Sequence, residues 1–266
     1  MKSFVRATLS DLTFQALRLT NGAPRGLRIL TYHRVTDAHP NDRLCVPVAR
    51  FAEQMRWLHD AGYQTVSFLQ AVQFAGAAAE LPSKAVVITF DDGFEDNFRY
   101  AYPAMGRYGF TGCFFVPSEF VASQSNGHLP EDRPMSWAQL RELLQAGHEI
   151  GAHSVSHVKL TTIIAEQMVQ EVRGSKRMLE QGLEHPVDFF CYPAGDYNAA
   201  VRDAVQASGY FGACTVKPGA NHPRTDRFAL KRTEISAFDT LRDFEKKLAG
   251  AYDWMHAAVQ VMKGAP

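Results

Sequence analysis

At 266 residues, 46% hydrophobic and 21% charged, the chain is long enough to bury a full core, and barrels commonly run to about this length undivided. Its 28 basic and 28 acidic side chains cancel, which excludes an overall field that would recruit nucleic acid, an anionic membrane or an acidic polymer. Cys45, Cys113, Cys191 and Cys214 show no paired C-x-x-C spacing, and the last three lie in apolar runs, so they read as buried free thiols.

In chain order, residues 1-24 come first. Lys2 and Arg6 lead into no apolar core, because Asp11, Gln15 and Arg18 interrupt it, so no cleaved signal peptide is expected. Nothing later approaches the roughly 18 consecutive apolar residues of a membrane span, and the protein is expected to be soluble and cytoplasmic. Val5, Leu9, Leu12, Ala16 and Leu19 keep helical spacing. They predict an amphipathic helix that docks on the domain, with a partner or membrane-surface contact through residues 1-20 as the alternative.

A main domain is expected over 25-250, followed by a tail over 251-266. Within it a helix, a glycine stop and a strand recur. RFAEQMRWLHDAGY, with Phe51, Met55 and Leu58 on one face, leads into QTVSF. PAMGRYGF precedes TGCFFV, SWAQLRELLQAGH precedes EIGAH, and AAVRDAVQASGY precedes FGACTV. Gly62, Gly109, Gly147 and Gly209 are the corresponding stops. Ser136 with Gln139 forms a capping box at the third helix. Further strands are expected at 27-33, 85-90, 187-192 and 228-235. A long helix is expected from about Ile164 to Leu179, with Ile164, Met168, Val172 and Leu179 facing inward. Short apolar strands alternating with amphipathic helices indicate α/β architecture, and seven or eight of them favour a barrel whose site lies at the strand C-terminal ends.

The polar residues fall at those ends. Asp91 and Asp92 follow the strand AVVITF, and two adjacent carboxylates need a cation to be tolerable unless they only cap a turn. EIGAHSVSH ends a second strand with His153 and His157 four apart, a spacing that shares a face in helical geometry. One carboxylate with two imidazoles is a hydrolytic metal set with room for water, and a second carboxylate supplies a base.

TFDDG at 89-93 followed by HSVSH at 153-157 resembles the first two motifs of the polysaccharide deacetylases, the NodB-homology or carbohydrate esterase family 4 fold. ILTYHRV at 29-35, MSWAQLRELLQAGHEIGAH at 135-153, FFCYPAGDYN at 189-198 and GACTVKPG at 212-219 extend the resemblance over Leu27 to Leu248. It implies a distorted (β/α)7-8 barrel of the NodB type in a single domain. It further implies removal of acetyl groups from N-acetylhexosamine residues of a bacterial exopolysaccharide of the adhesive or holdfast type. Residue by residue, it implies Asp91 as base and Asp92, His153 and His157 as ligands of one divalent ion, zinc by default with cobalt or nickel as alternatives. The backbone N–H of Ala194, in YPAG with Tyr192, would contact the substrate and its oxyanion, a contribution of about 2.7 to 4 kcal/mol for such donors.

Two departures stand out. Cys191 occupies the place where the family often has an arginine that tethers the catalytic aspartate, so Arg232 in LKRTEI becomes the candidate tether. No match to the last motif supplies the general-acid histidine. His33, ending the first strand, is the candidate, and His222 in GANHPRTD is a weaker one. Trp137 reads either as a sugar-stacking ring or as a core anchor, and the polar loop 123-134 is expected to overhang the site. The expected partner is an N-acetylated polysaccharide or oligosaccharide. Two other readings are a hydrolase of a small cyclic amide or imide on the same barrel and an inactive carbohydrate-binding relative.

Overall fold

A computed structural model describes residues 10, 11, 13–15, 26–124 and 132–253. From the N-terminus the elements are β1 (Arg28–Tyr32), β2 (Arg34–Val35), β3 (Cys45–Val46), α1 (Val48–Asp60), β4 (Gln64–Thr65), α2 (Phe68–Ala75) and β5 (Ala85–Phe90). A π-helical turn over Asn97–Ala101 then runs into α3 (Tyr102–Gly106), followed by β6 (Cys113–Val116), α4 (Ser118–Ser123), α5 (Trp137–Gln145) and β7 (Glu149–Ala152). The last are α6 (Ala165–Leu183), β8 (Phe189–Cys191), α7 (Ala199–Ala207), β9 (Gly212–Cys214), β10 (Thr233–Glu234) and α8 (Leu241–Ala249).

Eight of the strands form one parallel sheet in the order β10-β1-β5-β6-β7-β8-β9, with β4 also paired to β5. The sheet curls into a barrel-like wall. Residues 227–232 approach β9, with Ala213 N–H donating to Arg227 O at 2.8 Å, Thr215 N–H to Leu230 O at 2.9 Å and Arg232 N–H to Lys217 O at 2.9 Å. Only Thr233–Glu234 of the expected strand 228-235 and Gln64–Thr65 of QTVSF are regular strand. Loop hydrogen bonds carry the remainder of the first, which is how it reaches across to β9.

Alternation along each strand divides the core in two. Inside the curl lie Ile29, Val87, Cys113, Phe115, Phe189, Cys191 and Cys214, plugged by Phe68, Ala71, Val72 and Ala75 of α2. Outside it, Leu30, Ile88, Phe90, Phe114, Phe190 and Tyr192 face the helices. This double burial explains why AVVITF reads as an unbroken apolar run. Gly62, Gly109, Gly147 and Gly209 all hold φ between +67° and +85°, a left-handed stop that costs glycine nothing. The Ser136–Gln139 capping box is present.

Two expected helix contacts differ. Ile164 precedes the first turn of α6 as its N-cap and is 63% exposed, so the inward stripe is Met168, Val172, Leu179 and Leu183. Trp137 packs against α6 instead of facing the polar rim, since a Cβ on Gly182 would lie 2.4 Å from its ring. Val5, Leu9, Leu12, Ala16 and Leu19, most of the loop 123-134 and most of the tail 251-266 lie outside the described residues. Of the N-terminal segment, Phe14 is buried and Asp11 pairs with Arg242 at 2.7 Å and Lys246 at 2.9 Å on α8. No helix among the described residues is long and apolar enough to cross a membrane.

Candidate metal centre and active site

Asp91 continues the β5 ladder, its N–H donating to Tyr32 O at 2.9 Å, and by alternation its side chain points into the curl above Val87 and Thr89. Asp92 then turns the chain with φ +68°, followed by Gly93 at the same angle. The two neighbouring carboxylates reach one rim through this left-handed step.

His153 extends β7 in the same way, its N–H donating to Val116 O at 3.0 Å. Its Nδ1 lies 2.7 Å from Cys191 O. A carbonyl only accepts, so Nδ1 carries the proton and Nε2 keeps its lone pair in the neutral ring. That lone pair faces Asp92 Oδ1 at 3.5 Å, and His157 Nε2 faces the same oxygen at 3.2 Å. The helical i, i+4 geometry expected for the two histidines is absent. Ser154 and His157 both take φ +61°, a tight turn that brings the ring centroids to 4.7 Å.

One ligand atom each from Asp92, His153 and His157 lie within 4.8 Å of one another. Asp92 Oδ1 is buried with no hydrogen-bond partner. An acceptor-only oxygen facing an imidazole lone pair is costly unless a cation stands between them, so the donor set fits a divalent ion with carboxylate and imidazole ligands. Asp91, His153 and Cys191 form an adjoining buried cluster.

Asp91 is held from the opposite side. Arg232 donates NH1 to Oδ1 and NH2 to Oδ2, both at 2.7 Å, while its Nε donates to Thr215 O at 2.8 Å and its NH2 lies 3.1 Å from Cys191 Sγ. Burial alone would raise the Asp91 carboxyl, but the Arg232 guanidinium outweighs it and holds the group below the usual carboxylate range. Cys191 stands beside this pair as a neutral thiol, its ionisation pushed up by burial. All four cysteines are buried and free.

His33 follows β1 directly, at the same end of the strands as Asp91 and Asp92. Its Nδ1 is buried without a hydrogen-bond partner. Ala194 is exposed and takes φ +54°, a strained backbone of the kind found at functional loops. Tyr192 corrects its expected place, because it follows inward-facing Cys191 and so points outward into the helix layer. Its ring is fully buried and its hydroxyl donates to Phe228 O at 2.9 Å, which leaves no face for substrate. Trp137 is likewise absent from the cluster. His222 lies beside Gly26, ahead of β1 and therefore at the opposite end of the strands. The contributions of Thr215 and the Cys191 carbonyl had no signal in the sequence, since backbone acceptors depend on strand neighbours and not on residue type.

A model of the polysaccharide deacetylase family matches residues 78–213, which include Asp91, Asp92, His153 and His157, and the chain belongs to that family. It is 32% identical over 213 residues to YxkH of Bacillus subtilis (strain 168), covering 80% of this chain and 72% of that one. It is 24% identical over 260 residues to the poly-beta-1,6-N-acetyl-D-glucosamine N-deacetylase of Escherichia coli (strain K12), covering 84% of this chain but only 38% of that enzyme's length. Among solved structures, the IcaB protein of Ammonifex degensii shares the fold with TM-score 0.73 at 24% identity, covering 85% of this chain and 97% of that one. Deacetylase PplD of Streptococcus pyogenes shares it with TM-score 0.76 at 22% identity, covering 85% and 99%. The barrel is thus of the NodB type, and the chain is a polysaccharide deacetylase.

Proposed function

We propose that this enzyme is a metal-dependent N-deacetylase acting on N-acetylhexosamine residues of a bacterial exopolysaccharide, with Asp92, His153 and His157 holding the ion, zinc by preference. One observation carries the reading. The unpartnered Asp92 Oδ1 sits between two imidazoles, directly beside a carboxylate that an arginine keeps ionised.

When bound, the cation would polarise the acetamide carbonyl and ease deprotonation of an attacking water. Asp91 is the base that accepts that proton, and Arg232 fixes both of its oxygens so that one orientation is kept. The neutral His153 tautomer is fixed by the Cys191 carbonyl. His33, with a free buried Nδ1, is assigned as the group that returns a proton to the departing amine. The Ala194 backbone N–H is assigned to the oxyanion. The names of the E. coli relative and of a Staphylococcus aureus relative, 23% identical over 209 residues, support a poly-β-1,6-linked N-acetylglucosamine as the first substrate to try.

The test is acetate release from β-1,6-linked N-acetylglucosamine oligomers, with β-1,4-linked oligomers and a small cyclic imide offered in parallel. Release is expected from an oligomer, to stop with a chelator and to return with zinc, cobalt or nickel. Turnover undiminished by chelation would remove the metal, and turnover of the imide alone would remove the polysaccharide.

A further inference from the structure

Within the turn that presents His157, Ser154 Oγ accepts the His157 N–H at 3.0 Å, but the peptides at 154–156 are bonded from outside it. Ser154 and His157 both lie in the left-handed region, which strains a residue that carries a side chain, and the turn itself belongs to no helix or strand. Two neighbouring helices supply the outside partners. Ser118 and Glu119 at the start of α4 donate their N–H groups to Ser154 O at 3.2 Å and Val155 O at 3.0 Å. From the other side Glu171 of α6 sends Oε2 to the N–H groups of Val155 at 2.9 Å and Ser156 at 3.0 Å, while its Oε1 accepts from Ser156 Oγ at 2.8 Å.

Successive N–H groups converging on one point make a small anion-binding concavity. Here the anion is a side chain of the protein itself, and charge-assisted bonds of this kind are among the stronger ones. Glu171 is in turn fixed by its helix, since Met168 and Val172 on either side of it are buried in the core. The turn lies close against that helix, where a Cβ on Gly174 would stand 3.0 Å from Val155 Cγ2.

We propose that Glu171 is a positioning residue for the metal centre. By filling the concavity formed by Val155 and Ser156, it holds the 154–157 turn in the one conformation that aims His157 Nε2 at Asp92. The inference rests on the reading of Asp92, His153 and His157 as metal ligands. It assigns Glu171 no contact with substrate or ion.

Two substitutions separate positioning from bulk stability. Glu171→Gln keeps a carbonyl oxygen for the two N–H groups, whereas Glu171→Ala removes every acceptor. Zinc affinity is measured by competition with a chromophoric chelator, and amide hydrogen exchange at 154–157 is followed in the metal-free protein. Glu171→Ala is expected to weaken zinc binding about 10- to 100-fold, the range for partners that orient metal ligands, to speed exchange in the turn, and to regain near-native kcat at saturating zinc with KM unchanged. Glu171→Gln should retain most of the affinity. Wild-type zinc affinity in Glu171→Ala, or a lowered melting temperature with affinity and turn exchange unmoved, overturns the proposal. A wild-type protein that binds no zinc overturns the metal reading instead, and faster exchange in Glu171→Ala would still identify Glu171 as the clamp on the turn.

Discussion

Arg232 meets Asp91 as a planar fork, two nitrogens on two oxygens at 2.7 Å, with side-chain exposures of 1% and 3%. Removing one member of a buried pair leaves the other charged and uncompensated, which costs about 3–5 kcal/mol. Arg232→Met should lower unfolding free energy by about that amount and abolish turnover. Adding Asp91→Asn to Arg232→Met should restore much of the stability while activity stays lost. Denaturant unfolding of the two single variants and the double variant checks this, and strictly additive losses would show that the two residues do not act as a pair.

Asp91 and His153 lie side by side but should fail differently. Asp91→Asn preserves size and leaves Asp92, His153 and His157 untouched, so it is expected to bind zinc normally with turnover reduced by 100-fold or more, in the range of lost general-base catalysis, about 10²–10⁴. His153→Ala should lose both. Zinc content and acetate release on the same preparations separate the cases, and normal activity in Asp91→Asn would remove it as the base.

Where the sequence was legible, one residue type had one physical use. AVVITF had to be a strand covered on both faces, and the four glycine stops had to be left-handed. The carboxylates and histidines were legible as a set, since no packing role calls for those residues at strand ends. What escaped reading depended on neighbours. The period of α6 gives a stripe but not its starting point, and Ile164, which continues the period, is the exposed N-cap. Strand parity turns Tyr192 outward because Cys191 faces Asp91, and that facing depends on the neighbouring strands and not on residue type. The turn at 154–157 uses left-handed serine and histidine, residues that carry no glycine-like signal, and its acceptor is a glutamate some fifteen positions away.

Arg34 ties together the two segments that bear His33 and Asp92. Its Nε donates to Asp96 Oδ2 at 2.7 Å, its NH1 donates to Asp132, and its guanidinium lies 4.4 Å over the Phe94 ring. Asp96 also accepts the Val35 N–H at 3.0 Å. Arg34→Met should cost about 3–5 kcal/mol because Asp96 is left buried and unpaired, and Arg34→Lys should recover only part, lacking the fork. Chemical denaturation gives both values, and a loss below about 0.5 kcal/mol, the scale of an ordinary surface change, would show the network to be incidental.

His148 lies away from this chemistry, at the start of β7, and predicts a pH dependence of stability. Its ring is buried, faces the edges or faces of Phe114 and Tyr102, and accepts the Gly112 N–H on Nδ1 at 3.0 Å. Burial pushes the imidazole down from 6.5 to about 4. Between those values the unfolded chain binds a proton that the folded one refuses, so stability rises with pH across the window. The contribution is complete above about pH 6.5 and is lost as pH falls towards 4, amounting to about 3 kcal/mol at most. Carboxylates elsewhere in the chain also titrate at low pH, so the comparison is between wild type and His148→Asn, which keeps an acceptor but cannot gain a proton. The wild-type curve should be steeper by up to about 1.4 kcal/mol per pH unit between 4.5 and 6, and parallel curves would show that His148 is protonated in the folded barrel after all.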